Sequence, residues 1–161
     1  LLRLRPTHEW AVLELAMNHP GEIERLARIC NPQLGVITNV APRHLEGVND
    51  LDGVMHAKGE LLEVLGEGGT AVLNIDDPKV CRLAEQFPGR VISFGIHRAT
   101  EVWAVPFKHT AAGCSFDLHW HDLVARVRLK TPGLGAIYNA IASAAVGYRM
   151  GLSMDEVKDG L

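Results

Sequence analysis

TAVLNIDDPKVCRLAEQFPGRVISFG, Thr70 to Gly95, is the stretch whose reading decides the fold. Thr70–Ile75 is an apolar run with the composition of a strand buried on both faces. A turn at Asp76-Asp77-Pro78 leads into a short helix, and Arg90–Gly95 reads as a second buried strand. Upstream the same alternation continues. Gly66–Gly69 (GEGG) breaks the chain after a long helix predicted over Asp50–Leu65, and Leu34–Val40 (LGVITNV) is another buried strand. Pro20-Gly21 opens a helix from Glu22 to about Cys30, with Ile23, Leu26, Ala27 and Cys30 along one side, and Asn31-Pro32 ends it. Ala11–Leu15, inside WAVLEL, is predicted as a first strand. Strands alternating with helices imply right-handed βαβ units and a mostly parallel sheet flanked by helices, an α/β fold.

Downstream the period changes. EVWAVPF, GCSFDLHW and LVARVRLK alternate apolar and polar residues, which predicts a small antiparallel β meander. IYNAIASAAVGYRMG is an alanine-rich helix closed by Gly151, and Ser153 with Glu156 forms a capping box for one more.

The chain has 161 residues, 47% hydrophobic and 22% charged, enough for a sizeable core in one domain or a piece of a larger one. Its formal charge of −3 offers no basic field for a phosphate backbone, so nucleic acid is not an expected partner. The three cysteines lie far apart and read as free thiols of a reducing cytosol. No apolar stretch reaches the roughly 18–20 residues that span a bilayer, so no membrane role is expected. The opening LLRLRPTHEW and the closing MDEVKDGL suggest a fragment.

Several residues break the pattern that surrounds them. Glu14 is a carboxylate near the carboxyl end of the first predicted strand, the side where open α/β sheets bind ligands. It suits either a cation or a simple hydrogen-bonded place on the rim. Asn39 ends the second predicted strand and His44 follows in the loop, so Glu14 and His44 form a plausible pair for Mg²⁺ or Mn²⁺. Lys58 occupies the missing rung of an apolar stripe at Leu51, Val54, Leu61 and Leu65. An inward lysine either snorkels or has a task. Glu60 and Glu63 lie off that stripe and read as solvated. Asn18 and His19 precede a helix that Asn18 could cap. His119 and His121 share a predicted strand face but lack a third ligand. Asn139 stands above small residues Ala142, Ser143 and Val146, a face for a flat ring such as adenine or for helix packing. There is no G-x-x-x-x-G-K-[ST] loop, no G-x-S-x-G elbow and no kinase motif set.

ELAMNHPGEI, ITNVAPRHLEG, AKGELLEVL, LNIDDP and the Pro132-Gly133…Asn139-Ala140-x-Ala142 helix occur in this order over nearly the whole chain. Together they resemble the central ATP-binding domain of the Mur ligases, which have a P-loop NTPase-like fold and build the peptide stem of bacterial cell-wall precursors. The Met-Asn-His-Pro-Gly-Glu-Ile run is most similar to the branch that adds D-alanyl-D-alanine to UDP-N-acetylmuramoyl-tripeptide. The LNIDDP match is shared with other amide-forming relatives, including folylpolyglutamate synthase.

The resemblance implies an ATP-dependent acid–amino-acid ligase of the bacterial cytoplasm. Glu14 and His44 match residues that hold Mg²⁺ beside the γ-phosphate. Lys58 matches a lysine carbamylated by CO₂, whose anion helps to hold a second Mg²⁺, and Asn139 matches an asparagine that contacts adenine. Asn18 and His19 match the substrate-side loop of this branch. The implied chemistry is an acyl-phosphate formed from a peptide carboxylate and then displaced by an amine. The family pattern Pro-Gly-x-His-Asn-x-x-Asn is altered here, with Gly135 and Ala136 in place of the His-Asn pair. Residues 1–161 are thus expected to be part of a central domain, without the UDP-binding N-terminal domain, the phosphate loop and the C-terminal domain. Such a chain is expected to bind ATP feebly and not to turn over. The alternatives are another amide ligase of the superfamily and a non-catalytic module that keeps the fold.

Overall fold

All five residues of Thr70–Asn74 are buried, as a strand covered on both faces must be. The computed structural model, which describes residues 4–42, 50–97 and 99–161, makes this strand the second of a six-stranded sheet. In chain order the strands are β1 (Leu34–Ile37), β2 (Thr70–Asn74), β3 (Arg90–Gly95), β4 (Val102–Thr110), β5 (Gly113–Trp120) and β6 (Leu123–Leu129). They lie side by side in that same order. β1 to β4 pair in parallel and β5 and β6 antiparallel. The helices are α1 (Glu22–Cys30), α2 (Leu51–Leu65), α3 (Pro78–Gln86), α4 (Leu134–Arg149) and α5 (Met154–Gly160).

Two cores follow from the pleat, since successive strand residues face opposite sides. Ala71 and Leu73 point to α2 and α3, whose Val54, Met55, Leu62, Val80 and Leu83 complete one cluster. Val72, Ile92, Phe94, Val102, Phe116 and Leu118 point the other way, to Ile137, Ile141 and Ala145 of α4 and Val157 of α5. α4 is thus buried through its alanine face, which lets it lie close to the sheet. The expected meander is present, and it continues the parallel sheet. Phe94 pairs with Val102, and because both are fully buried, β4 extends the same core. Gly113 turns the β4–β5 hairpin at φ +145°, where a Cβ would come within 2.1 Å of the Leu129 carbonyl oxygen. Only glycine fits there.

One predicted strand does not form. Ala11–Leu15 belongs to an irregular segment without a ladder partner among the described residues; Trp10 is 62% exposed and Val12 94%. Its composition asks for burial, but a strand also needs a neighbour to take its amides and carbonyls. Among the described residues β1 is the edge of the sheet, with Val36 partly exposed. Among the described residues no helix is long and apolar enough to cross a membrane.

Phe94 is fully buried on β3, where it pairs with Asn74 on β2 and with Val102 on β4, both in parallel. Phe94→Ala is expected to lower the unfolding free energy by about 3–5 kcal/mol, read from urea denaturation. A loss under about 1 kcal/mol would mean that this core is loosely packed.

Candidate functional site

At the carboxyl end of β2 the chain runs Asn74-Ile75-Asp76-Asp77, and three of its four side chains act as clasps. The Asn74 amide donates to the Thr38 carbonyl (2.8 Å), and its oxygen accepts from the Asp76 backbone N–H (3.0 Å). Asp77 caps α3 by accepting from Lys79 N (2.8 Å) and Val80 N (3.2 Å), and its second oxygen takes Val40 N at 2.7 Å. Pro78 in the first turn of α3 needs no N–H partner, so the cap is complete. Asp76 accepts from the backbone N–H groups of Ile96 and His97 and from the Tyr138 hydroxyl of α4 (2.9 Å). Burial of the phenol, reinforced by the carboxylate beside it, pushes the Tyr138 pKa up to about 12.

These residues wall a cavity of about 800 Å³ between the ends of β1 and β2, the start of α3 and the start of α4. It lies outside the carboxyl ends of parallel strands, where α/β sheets place ligands. Lys79 and Arg82 line it on one side and share the Asp52 carboxylate at 2.6 and 3.4 Å, which holds the Asp52 pKa down.

Lys58 is half-buried on α2, and its ammonium donates to the Asn39 carbonyl at 2.6 Å, beyond the end of β1. The missing rung therefore points towards the strand ends. The stripe around it differs from the expectation. Leu51 at the helix start is exposed and Leu61 only half-buried, while Met55, Ala57 and Leu62 are buried. Asn139 also lines the cavity; it lies in the second turn of α4, which begins at Leu134. Ala142 beside it is buried and Val146 half-buried against the core, whereas Ser143 is exposed, so only part of that small-residue face packs.

Glu60 corrects an expectation. It is half-buried, and its two oxygens accept from Gly21 N (2.6 Å) and Glu24 N (3.0 Å), capping α1 from another helix. Gly21 is the N-cap and has no side chain to do this work. Asn18 is not the cap; its N–H and that of His19 donate to Glu22 at 2.6 and 3.1 Å. Those two donors hold the Glu22 pKa below its ordinary value. Glu14 is exposed on the unpaired segment rather than at a strand end, and His44 lies outside the described residues. The two predicted imidazoles part company. His119 stacks on Trp103 on the open face of the meander, whereas His121 turns at φ 50° and bonds the Tyr148 hydroxyl at 2.8 Å. Among the described residues no three His, Cys, Asp or Glu side chains are grouped to hold a metal.

The parts played by Asn74, Asp76, Asp77, Tyr138 and Glu22 have no counterpart among the sequence expectations. The available signal was three polar residues closing a buried strand, a costly arrangement unless each finds a partner.

The Tyr138 shift predicts a pH window. A phenol protonated up to about 12 in the fold, against about 10 unfolded, adds stability that is intact below 10 and lost as pH rises through 12. Thermal melts should fall across that interval and Tyr138→Phe should flatten the fall; a parallel fall in both proteins would refute the assignment. Glu60→Ala should speed amide exchange at Gly21 and Glu24, with Glu60→Gln intermediate, as followed by NMR.

The family model of the Mur ligase middle domain matches residues 1–147. The chain is 35% identical to the UDP-N-acetylmuramoyl-tripeptide–D-alanyl-D-alanine ligases of Mycobacterium tuberculosis, over 32% of that protein, and Escherichia coli, over 36%, and all of this chain is covered in both. It therefore spans about a third of the length of these curated relatives. A crystal structure of MurF from Acinetobacter baumannii superposes with a TM-score of 0.93 at 30% identity, over 99% of this chain and 35% of that one. The chain belongs to the Mur ligase family and has the fold of its middle domain.

Proposed function

We propose that this chain is the nucleotide-binding middle domain of an ATP-dependent ligase of the bacterial cytoplasm, which adds D-alanyl-D-alanine to UDP-N-acetylmuramoyl-tripeptide in peptidoglycan synthesis. The observation that carries the reading is Lys58, a half-buried amine drawn to the Asn39 carbonyl beside the cavity at the strand ends. Family membership and the 35% identity to ligases of that name support the substrate assignment. The remaining two thirds of such a ligase would bring the UDP-bearing substrate, the phosphate loop and the incoming amine.

In this reading Asn139 meets the adenine, and Asn18 and His19 form the substrate-side loop, fixed by Glu22 and Glu60. The metal donors are Glu14, His44 and Lys58. As an ammonium Lys58 repels Mg²⁺; as a carbamate it offers the hard oxygens that Mg²⁺ prefers, so the donor set fits only after CO₂ has been added. A Mg²⁺ held there would supply charge neutralisation at the γ-phosphate. The chain's own part is to hold Lys58 over the strand ends, to close the cavity with the Asp76–Tyr138 clasp and to keep the loop before α1 in place. The peptide carboxylate attacks the γ-phosphate and ADP leaves, giving an acyl-phosphate; the amine then attacks the acyl carbon, expels inorganic phosphate and loses a proton to give the amide.

One observation favours a second reading, a fold-retaining module without turnover. Gly135, where the family has histidine, lines the cavity with open space in place of a Cβ.

The test is ¹³C NMR with labelled bicarbonate and Mg²⁺. A protein-bound carbamate resonance that is absent in Lys58→Arg is expected. In the complete ligase the same substitution should cost about 10²–10³ in kcat, as losing one electrostatic contact to a transition state does. Absence of the carbamate with full retention of activity would sink the proposal. Absence of both leaves the non-catalytic module as the better reading.

A further inference from the structure

The four hydrogen bonds that reach Asp76 are unevenly shared between its two oxygens. Oδ2 accepts from Ile96 N, from His97 N at 3.1 Å and from the Tyr138 hydroxyl at 2.9 Å. Among the described residues Oδ1 receives only a long approach from His97 N at 3.3 Å. A carboxylate has about two acceptor sites on each oxygen, so Oδ2 is filled and Oδ1 retains capacity. No lysine or arginine pairs with this carboxylate among the described residues, because Lys79 and Arg82 are both committed to Asp52. The side chain is also pinned. A Cβ on Gly95 would lie 3.0 Å from Oδ1 and 3.1 Å from Oδ2, so the glycine gives the carboxylate its seat, and the Tyr138 bond holds its other side. This fixed and partly unsatisfied anion lines the same cavity as Asn139.

We propose that Asp76 is a specificity-determining residue of the nucleoside site, its Oδ1 accepting a hydrogen bond from a donor group of the bound nucleoside. The inference rests on reading the cavity as the ATP site. A carboxylate accepts and never donates, so it selects a ligand edge that carries N–H or O–H and repels one that carries a carbonyl. ATP has two such sources, the exocyclic amino group of the base and the ribose hydroxyls. Inosine triphosphate replaces the first with an oxo group; 2′-deoxy- and 3′-deoxy-ATP each remove one of the second. The space at Gly135 leaves room for the ligand to approach.

The experiment is an NMR titration of the 161-residue chain with ATP and these three analogues, following the amides of Asp76, Ile96 and His97. At least one analogue should bind roughly tenfold more weakly than ATP, since a lost bond to a charged group costs about that much. A loss with inosine triphosphate assigns the base; a loss with a deoxy analogue assigns the sugar. Asp76→Asn, which can keep its oxygen on the loop amides and turn an NH₂ into the cavity, should erase the discrimination, and reverse it if the base is the donor. Equal affinity for all four nucleotides overturns the proposal, as does discrimination that survives Asp76→Asn. If that variant fails to fold, the analogue series on the unmodified chain decides alone. A chain whose cavity amides do not respond even to millimolar ATP removes the nucleotide reading itself and this inference with it. That outcome is distinct from ATP bound without discrimination.

Discussion

Asn74, Asp76 and Asp77 are the constraint on which the cavity depends. They sit where β2 leaves the core, and within four residues they tie down β1's exit through Thr38 and Val40, β3's exit through Ile96 and His97, the start of α3, and the start of α4 through Tyr138. Parallel strands all expose unpaired backbone groups at the same end, and each group costs free energy unless it finds a partner. Carboxylates and an amide placed there satisfy several at once. The same arrangement makes a concave wall of fixed dipoles, so the residues that end the strands also build the cavity.

The sheet itself was legible wherever burial decided the period. β1, β2 and β3 announced themselves as apolar runs, and the long helix between β1 and β2 formed as expected, with Asp50 as its cap. The run at Ala11–Leu15 has the same composition and forms no strand, because composition records a demand for burial and pairing is a second, separate condition. Trp10 and Val12 lie exposed although, among the described residues, β1 has no strand on its outer side. The place where the meander joins the parallel sheet was equally invisible, since it rests on two pairs, Phe94 with Val102 and Gly95 with Trp103, far too local for any period to show.

The site was legible where a residue contradicted its surroundings and illegible where it agreed with them. Lys58 stood out in an apolar stripe, and its amine does reach the strand ends. Glu60 sat on a face that ordinary amphipathic logic assigns to water, yet its carboxylate takes the N–H groups of α1 that the N-cap Gly21, lacking a side chain, cannot. Tyr138 looked like one more helix residue; its function in the fold comes from Asp76, which is 62 positions away in the chain. Partnerships of this kind are properties of the pair, and no window of neighbouring residues contains both members.

Lys58 and Glu60 are two residues apart on α2, and at about 100° per residue they leave the helix on nearly opposite sides. One reaches Asn39 beyond β1, the other reaches the start of α1. A helix that slid or rotated to improve one contact would spoil the other, so α2 fixes the lysine and the Asn18–His19 loop in a single register. Val54, Met55 and Leu62 set that register by packing on the sheet. The apolar core therefore determines more than stability. It sets the distance between a loop and an amine that belong to different turns of the chain, and any chemistry that needs both depends on that packing.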